Sequence, residues 1–192
     1  MFSAVLDANV LWPSLQRDFL LSLAIEGLFR PLWSNVLLDE VEYNESAKRM
    51  KRGAVAADAT RRAAFLRAEM ARAFPDAVVR GWEALEGSYG LPDPDDEHVL
   101  AAAVVGGAGV IVTHNVKDFP SASIPDGIDV VKPAQFAFDT VSLDPSTALR
   151  ALEQIALRSG RGGDPPRTVA HLKRHLVSTY RLHDAVALIP DA

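Results

Sequence analysis

The sequence predicts an α/β chain, a parallel sheet with helices on both faces. Short apolar runs at Phe2–Leu6, Val110–Val112 and Ile128–Val131 have strand length and lie far apart. Segments with helical spacing of apolar residues fill the intervals. Two of the runs end in polar residues, Asp7 and the Thr113–Asp118 loop, where sheets of this class do chemistry.

Taken in order, Phe2–Leu6 is a buried strand closed by Asp7. Leu15–Leu28 carries apolar residues at helical spacing and stops near Gly27. Pro31–Trp33 is a short extended piece, and Ser34 is the N-cap of a helix reaching about Met50. Ala54–Ala73, rich in Ala and Arg, is a strong helix former. Asp76–Val79 reads as another short strand. The prolines of Leu91–Asp96 stop any earlier helix and lead into Glu97–Val105, apolar nearly all round and therefore buried. Val110–Val112 and Ile128–Val131 are strands, and Pro133–Phe138 is a short helix. Beyond Asp144 come a helix over Thr147–Ser159, a flexible linker over Gly160–Pro166 and a helix over Thr168–Tyr180.

Composition narrows the chemistry. The chain of 192 residues is 48% hydrophobic and 23% charged, the balance of a globular domain. It has no cysteine, which removes disulfides, thiolate metal sites and thiol nucleophiles. The N-terminus does not read as a signal peptide, and no apolar run spans a membrane, so a soluble cytoplasmic protein is expected. The net charge of -5 is unevenly spread. Lys48, Arg49, Lys51, Arg52, Arg61, Arg62, Arg67 and Arg72 form a local basic surface, either a solvated helical face or a tracker of phosphates.

Four acids carry the functional argument. Asp7 closes a buried strand, where it either makes an Asx turn or serves a site. Glu40 shares a helical row with Val36, Tyr43 and Ala47, so it is expected to point inward. There it is metal-bound or paired with a buried Arg. Asp96 opens the most apolar helix, beside Asp93 and Asp95, which compete with it for the cap. Asp118 and Asn115 lie in the loop after a strand, where Thr113 offers a hydroxyl. Acids at two strand ends, a helix mouth and an inward face suit an oxygen-only Mg²⁺ or Mn²⁺ site that hydrolyses a phosphodiester.

The segments Val5-Leu-Asp7-Ala-Asn9, Leu38-Asp-Glu40-Val, Asp96-Glu-His-Val-Leu-Ala-Ala-Ala103 and Val112-Thr-His-Asn115-Val-Lys-Asp118-Phe resemble those of PIN-domain ribonucleases, especially VapC-type toxins of bacterial toxin–antitoxin pairs. The resemblance covers about residues 1–140. It implies a three-layer α/β/α fold and a PIN-like nuclease domain over 1–140, with a helical extension over 145–192. It also implies Mg²⁺- or Mn²⁺-dependent cleavage of RNA, homodimerisation and inhibition by a small cognate antitoxin. The acidic roles fall on Asp7, Glu40, Asp96 and Asp118, with Asn9, Thr113 and Asn115 facing substrate or supporting the ligands. Many relatives carry an acid where Asn115 stands, which leaves Asn115 and Asp118 as alternatives for the fourth position.

Two other readings stay open. A haloacid-dehalogenase-type phosphatase also has an acid after its first strand, but expects Asp where Asn9 stands. A nuclease fold with a disabled site would bind RNA or protein without cutting. His98 and His114 flank the proposed site as phosphate donors or polar surface. His171 and His175 have the i, i+4 spacing of metal ligands but no third ligand in a recognisable pattern, and with Lys173 and Arg174 they make a basic helical patch suited to RNA or a partner. Trp12, Trp33 and Trp82 are expected in the core or an interface.

Overall fold

The computed structural model describes residues 1–160 and 165–191. It has the expected α/β architecture, a four-stranded parallel sheet with flanking helices and further helices at the C-terminal end. By backbone contacts the chain forms two compact units.

One unit comprises Phe2–Trp12 and Pro31–Val131. Its sheet uses β1 (Ser3–Leu6), β2 (Arg30–Leu32), β3 (Val110–Val112) and β4 (Asp129–Val131) in the order β2-β1-β3-β4. Strands β1 and β3 are parallel with Leu6 opposite Val112, and β3 and β4 are parallel with Val112 opposite Val131. This register brings Asp7 and Thr113 side by side at the carboxyl ends. The expected strand at Asp76–Val79 is a single parallel bridge, Trp33 to Val78, flanked by bonds from Trp33 N to Ala77 O and from Val79 N to Trp33 O.

A four-residue helix α1 (Ala8–Leu11) follows β1 directly. Helices α3 (Asn35–Lys51) and α4 (Ala56–Ala73) form an antiparallel arm. Ser34 is the N-cap of α3, as expected, its Oγ accepting from Leu37 N at 3.1 Å. Helix α5 (Glu97–Gly106) is buried from Glu97 to Ala103 and packs on β1 and β3. It ends at Gly106, where an added Cβ would lie 2.8 Å from Val79 Cγ2 and 2.9 Å from Leu32 Cδ1. Only hydrogen at that position lets the helix end close on its neighbours.

The other unit gathers Pro13–Arg30 with the chain from Lys132 onward. It contains α2 (Ser14–Ile25), α6 (Pro133–Leu143), α7 (Pro145–Arg158), α8 (Val169–Tyr180) and α9 (His183–Leu188). Helix α6 runs five residues past its expected end, to Leu143. Asp144 then caps α7, accepting from the amides of Ser146 and Thr147, both at 3.0 Å. The hydroxyls of Ser146 and Thr147 hold its carboxyl well below the usual range. Phe29 meets Phe136 edge-on at 4.9 Å, Arg158 reaches Ser22 Oγ at 3.1 Å, and α7 packs along α2. Helix α9 was not expected. Lys173 secures the chain after it by donating to Ile189 O at 2.9 Å and Pro190 O at 2.8 Å. Of the expected linker Gly160–Pro166, residues 161–164 lie outside the described residues.

Candidate active site

The end of β1 and the loop after β3 are joined by one polar network. Asp7, 4% exposed, accepts from Thr113 Oγ1 at 2.6 Å, from the Asn9 side-chain amide, and from Asn9 N at 3.4 Å. Asn9 Nδ2 also donates to Thr113 Oγ1 at 3.1 Å, and Asn9 Oδ1 accepts from His114 N at 3.0 Å. Thr113 Oγ1 accepts in turn from Asn115 N at 3.0 Å. Asp7 therefore does make the local turn that its position suggests, and it also supports the facing loop. Burial raises its pKa despite the Thr113 and Asn9 bonds, and Glu40 adds to the rise.

Asp96 ends a 3₁₀ turn (Pro94–Asp96) and precedes α5 without making a side-chain cap bond. Asp93 takes the capping role instead, accepting from Asp95 N at 3.0 Å. Burial pushes the Asp96 pKa up to about 6, reinforced by the charges of Asp7, Asp93 and Asp118, while His98 pulls it back. Asp118 lies in a 3₁₀ turn (Val116–Asp118) and is mostly covered, with Lys117 Nζ 4.0 Å from its Oδ1. Of the two residues left open for the fourth position, Asp118 is the one whose charge bears on Asp96. Asn115 is exposed at the side chain and contributes its amide to Thr113.

Glu40 differs from expectation. The buried face of α3 consists of Leu37, Leu38, Val41 and Glu45, whereas Val36, Tyr43 and Met50 are exposed. Glu40 sits at the margin of that face, its side chain 43% exposed, with Oε1 3.1 Å from His98 Nε2. The row that looked inward is half-buried at Glu40 and Ala47 and exposed at Val36 and Tyr43. The partner left open as a buried Arg is a histidine. His98 itself is buried, not polar surface, and its ring tilts against Trp82 at 5.9 Å.

Two acids that the sequence reading passed over are more deeply buried. Glu45 pairs with Lys48 and, at 2.8 Å, with Arg49. Glu97 accepts from Leu91 N at 2.8 Å and from Tyr89 N at 3.2 Å, so it fastens the loop before the site. The signal for Glu97 was its place in the first turn of an all-apolar helix, a costly position unless donors face it.

The basic surface is largely answered from within. Beyond the Glu45 pairs, Arg61 and Arg62 pair with Asp58, Arg67 with Asp39 and Glu42, and Arg72 with Glu69. Lys48 also donates to Trp12 O at 3.2 Å, with Nζ 5.8 Å from the Trp12 ring centre. Trp33 and Trp82 are core residues, as expected.

Asp7 and Asp118 thus each bear on Asp96 electrostatically, and Glu40 bears on Asp7. All are hard oxygen donors, and the resulting excess of negative charge is what a bound Mg²⁺ or Mn²⁺ would neutralise. In chemistry the set fits such an ion. The Asp7 carboxylate is held by Thr113 and Asn9 and Glu40 faces His98, and among the described residues no group of three or more His, Asp or Glu stands together as a ready metal cage.

The raised pKa of Asp96 gives a first prediction. With a folded value of about 6 against the ordinary 3.8, the folded chain binds the proton more tightly, so the ionised carboxylate costs stability. That cost is full above about pH 6 and gone below about pH 4. Asp96→Asn should therefore raise the melting temperature by roughly a few degrees at neutral pH without divalent ions. The gain should shrink to nothing near pH 4. A gain that stays constant on acidification would refute the assignment of the strain to this carboxylate.

A family model described as PIN domain matches residues 3–117, which takes in Asp7, Glu40, Asp96 and Thr113 and stops just before Asp118. Neither the curated proteins nor the solved structures yielded a match. No helix among the described residues is long and apolar enough to cross a membrane.

Proposed function

This chain belongs to the PIN-domain family, a nuclease fold that generally depends on a divalent metal, and on that premise we propose that it is an endoribonuclease acting as the toxin of a toxin–antitoxin pair. The observation that carries the nuclease reading is that Asp7, after β1, and Asp118, in the loop after β3, both bear electrostatically on Asp96 at the start of α5. The short segments resembling VapC-type toxins support the finer reading, together with RNA as substrate, a small antitoxin and a homodimer as partners. Family membership displaces the phosphatase reading, and Asn9 is a hydrogen-bond donor to Asp7 where that reading needs a second acid.

In this proposal Asp7 and Asp96 would be the main ligands of the ion, with Glu40 and Asp118 completing the set. A bound Mg²⁺ or Mn²⁺ supplies an activated water and neutralises charge on the phosphate during in-line displacement. The chain's own contribution is placement. Thr113 and Asn9 fix the Asp7 carboxylate, and His98 fixes the Glu40 carboxylate. With its pKa raised to about 6, Asp96 would have to lose its proton to serve as a ligand, so metal affinity should rise with pH up to about 6.

The test is to incubate the full chain with mixed RNA in EDTA, Mg²⁺ or Mn²⁺. Cleavage is expected with either ion and not in EDTA, and cutting that persists in EDTA overturns the proposal. A second reading, a binding module with a disabled site, is favoured by the carboxylates standing apart as placed. Retention of RNA without cutting in Mg²⁺ and Mn²⁺ would select it. The toxin role is tested by expressing the chain in a bacterium: growth arrest that Asp7→Asn relieves is expected, and unimpeded growth with the unsubstituted chain overturns that role.

A further inference from the structure

The cations of the α3–α4 arm are mostly paired, but those at the start of α8 are arranged differently. Arg167, Thr168, His171 and Arg174 line a surface pocket of about 410 Å³ together with Pro165 and Pro166. Among the described residues, no carboxylate forms an ion pair with Arg167 or Arg174. On a chain of net charge -5, two guanidinium groups that line one pocket and have no carboxylate partner among the described residues make a local excess that an anion would answer.

Rings continue from the pocket along the same helix. His171 and His175 meet edge-on at 6.3 Å, and His175 stacks on Tyr180 at 5.8 Å with 25° between planes. Burial, then Arg167 and His171, lowers the His175 pKa, which favours the neutral ring. Two planar cations followed by a stepped series of flat rings combine the features that single-stranded nucleic acids use, phosphate contacts and base stacking. An acidic protein segment would use the cations and leave the rings idle.

We infer that this face of α8 is a binding site for single-stranded nucleic acid, with Arg167 and Arg174 on successive phosphates and the His175–Tyr180 stack receiving a base. It lies wholly within the helical unit and does not depend on cleavage at the carboxylates. Binding is therefore read in EDTA, where failure to cut has no bearing on it.

The probe is a short fluorescein-labelled oligouridylate, followed by anisotropy on the full chain over a salt series. Arg167 and Arg174 are exposed, so the double substitution to Ala should melt as the unsubstituted chain does. It should weaken binding roughly tenfold at low salt and flatten the slope of log K against log salt by about 1.4, for two lost contacts on a single strand. His175→Ala should weaken binding about fivefold with the slope unchanged, and His175→Phe should restore it, because the ring matters and its charge does not. A folded double variant with unchanged affinity and slope overturns the site. Displacement by polyglutamate as effective as by unlabelled oligouridylate, or an inert His175→Ala, overturns the single-strand assignment.

Discussion

Asp7→Asn should abolish most RNA cleavage, by on the order of 10²–10³-fold in kcat/KM, while leaving the chain folded. The substitution removes one negative charge from the coupled set and keeps the shape of the side chain. The oxygen of the new side chain can keep the Oδ2 position, where Thr113 and the Asn9 side chain donate, but its amide group then faces Asn9 N, which loses its acceptor. A modest stability loss of about 1–2 kcal/mol is therefore expected from an unmatched donor, offset in part by relief of a buried charge. Parallel measurement of cleavage with Mg²⁺ and of the urea midpoint separates the two effects. Near-normal turnover in a folded Asp7→Asn chain removes this carboxylate from the chemistry.

A larger stability effect is expected at a residue outside the chemistry. Glu97→Ala should cost about 3 kcal/mol, because two backbone donors, Leu91 N and Tyr89 N, lose a charged acceptor in a place water hardly reaches. Glu97→Gln keeps one acceptor oxygen and should cost about half as much. Denaturant titration of both variants reads this directly. An alanine variant as stable as the original chain would mean the loop finds other acceptors. Cleavage should fall in step with the loosening of the Leu91–Asp96 segment, since Asp96 is carried on it.

The strand-end residues were legible because two signals coincided there. Leu6 and Val112 are apolar runs that stop abruptly, and the residues after them are short, polar and turn-forming. The register of β1 against β3 then brings Asp7 and Thr113 together without further information. Glu40 was harder. Its row contains Val36 and Tyr43, yet α3 packs against α4 and α1, and the residues it buries are Leu37, Leu38 and Val41. Hydrophobic spacing locates a helix better than it locates the buried side, since exposed apolar residues are common. The basic run left two readings open for a related reason. Its acidic partners, Glu45, Asp58 and Glu69 among them, lie three or four residues away, on the same helix surface. Helix α9 was missed because six residues carry too little periodicity to register.

Asn9 has a consequence for motion. Its one side chain holds the Asp7 carboxylate, the Thr113 hydroxyl and the His114 amide, and thereby spans two segments more than a hundred residues apart in the chain. A loop of this kind ordinarily samples many arrangements, and a ligand must select among them. Here the selection is made when the chain folds. Whatever meets Asp7 and the 113–118 loop meets them at a spacing already fixed, so little ordering entropy is left to oppose its arrival.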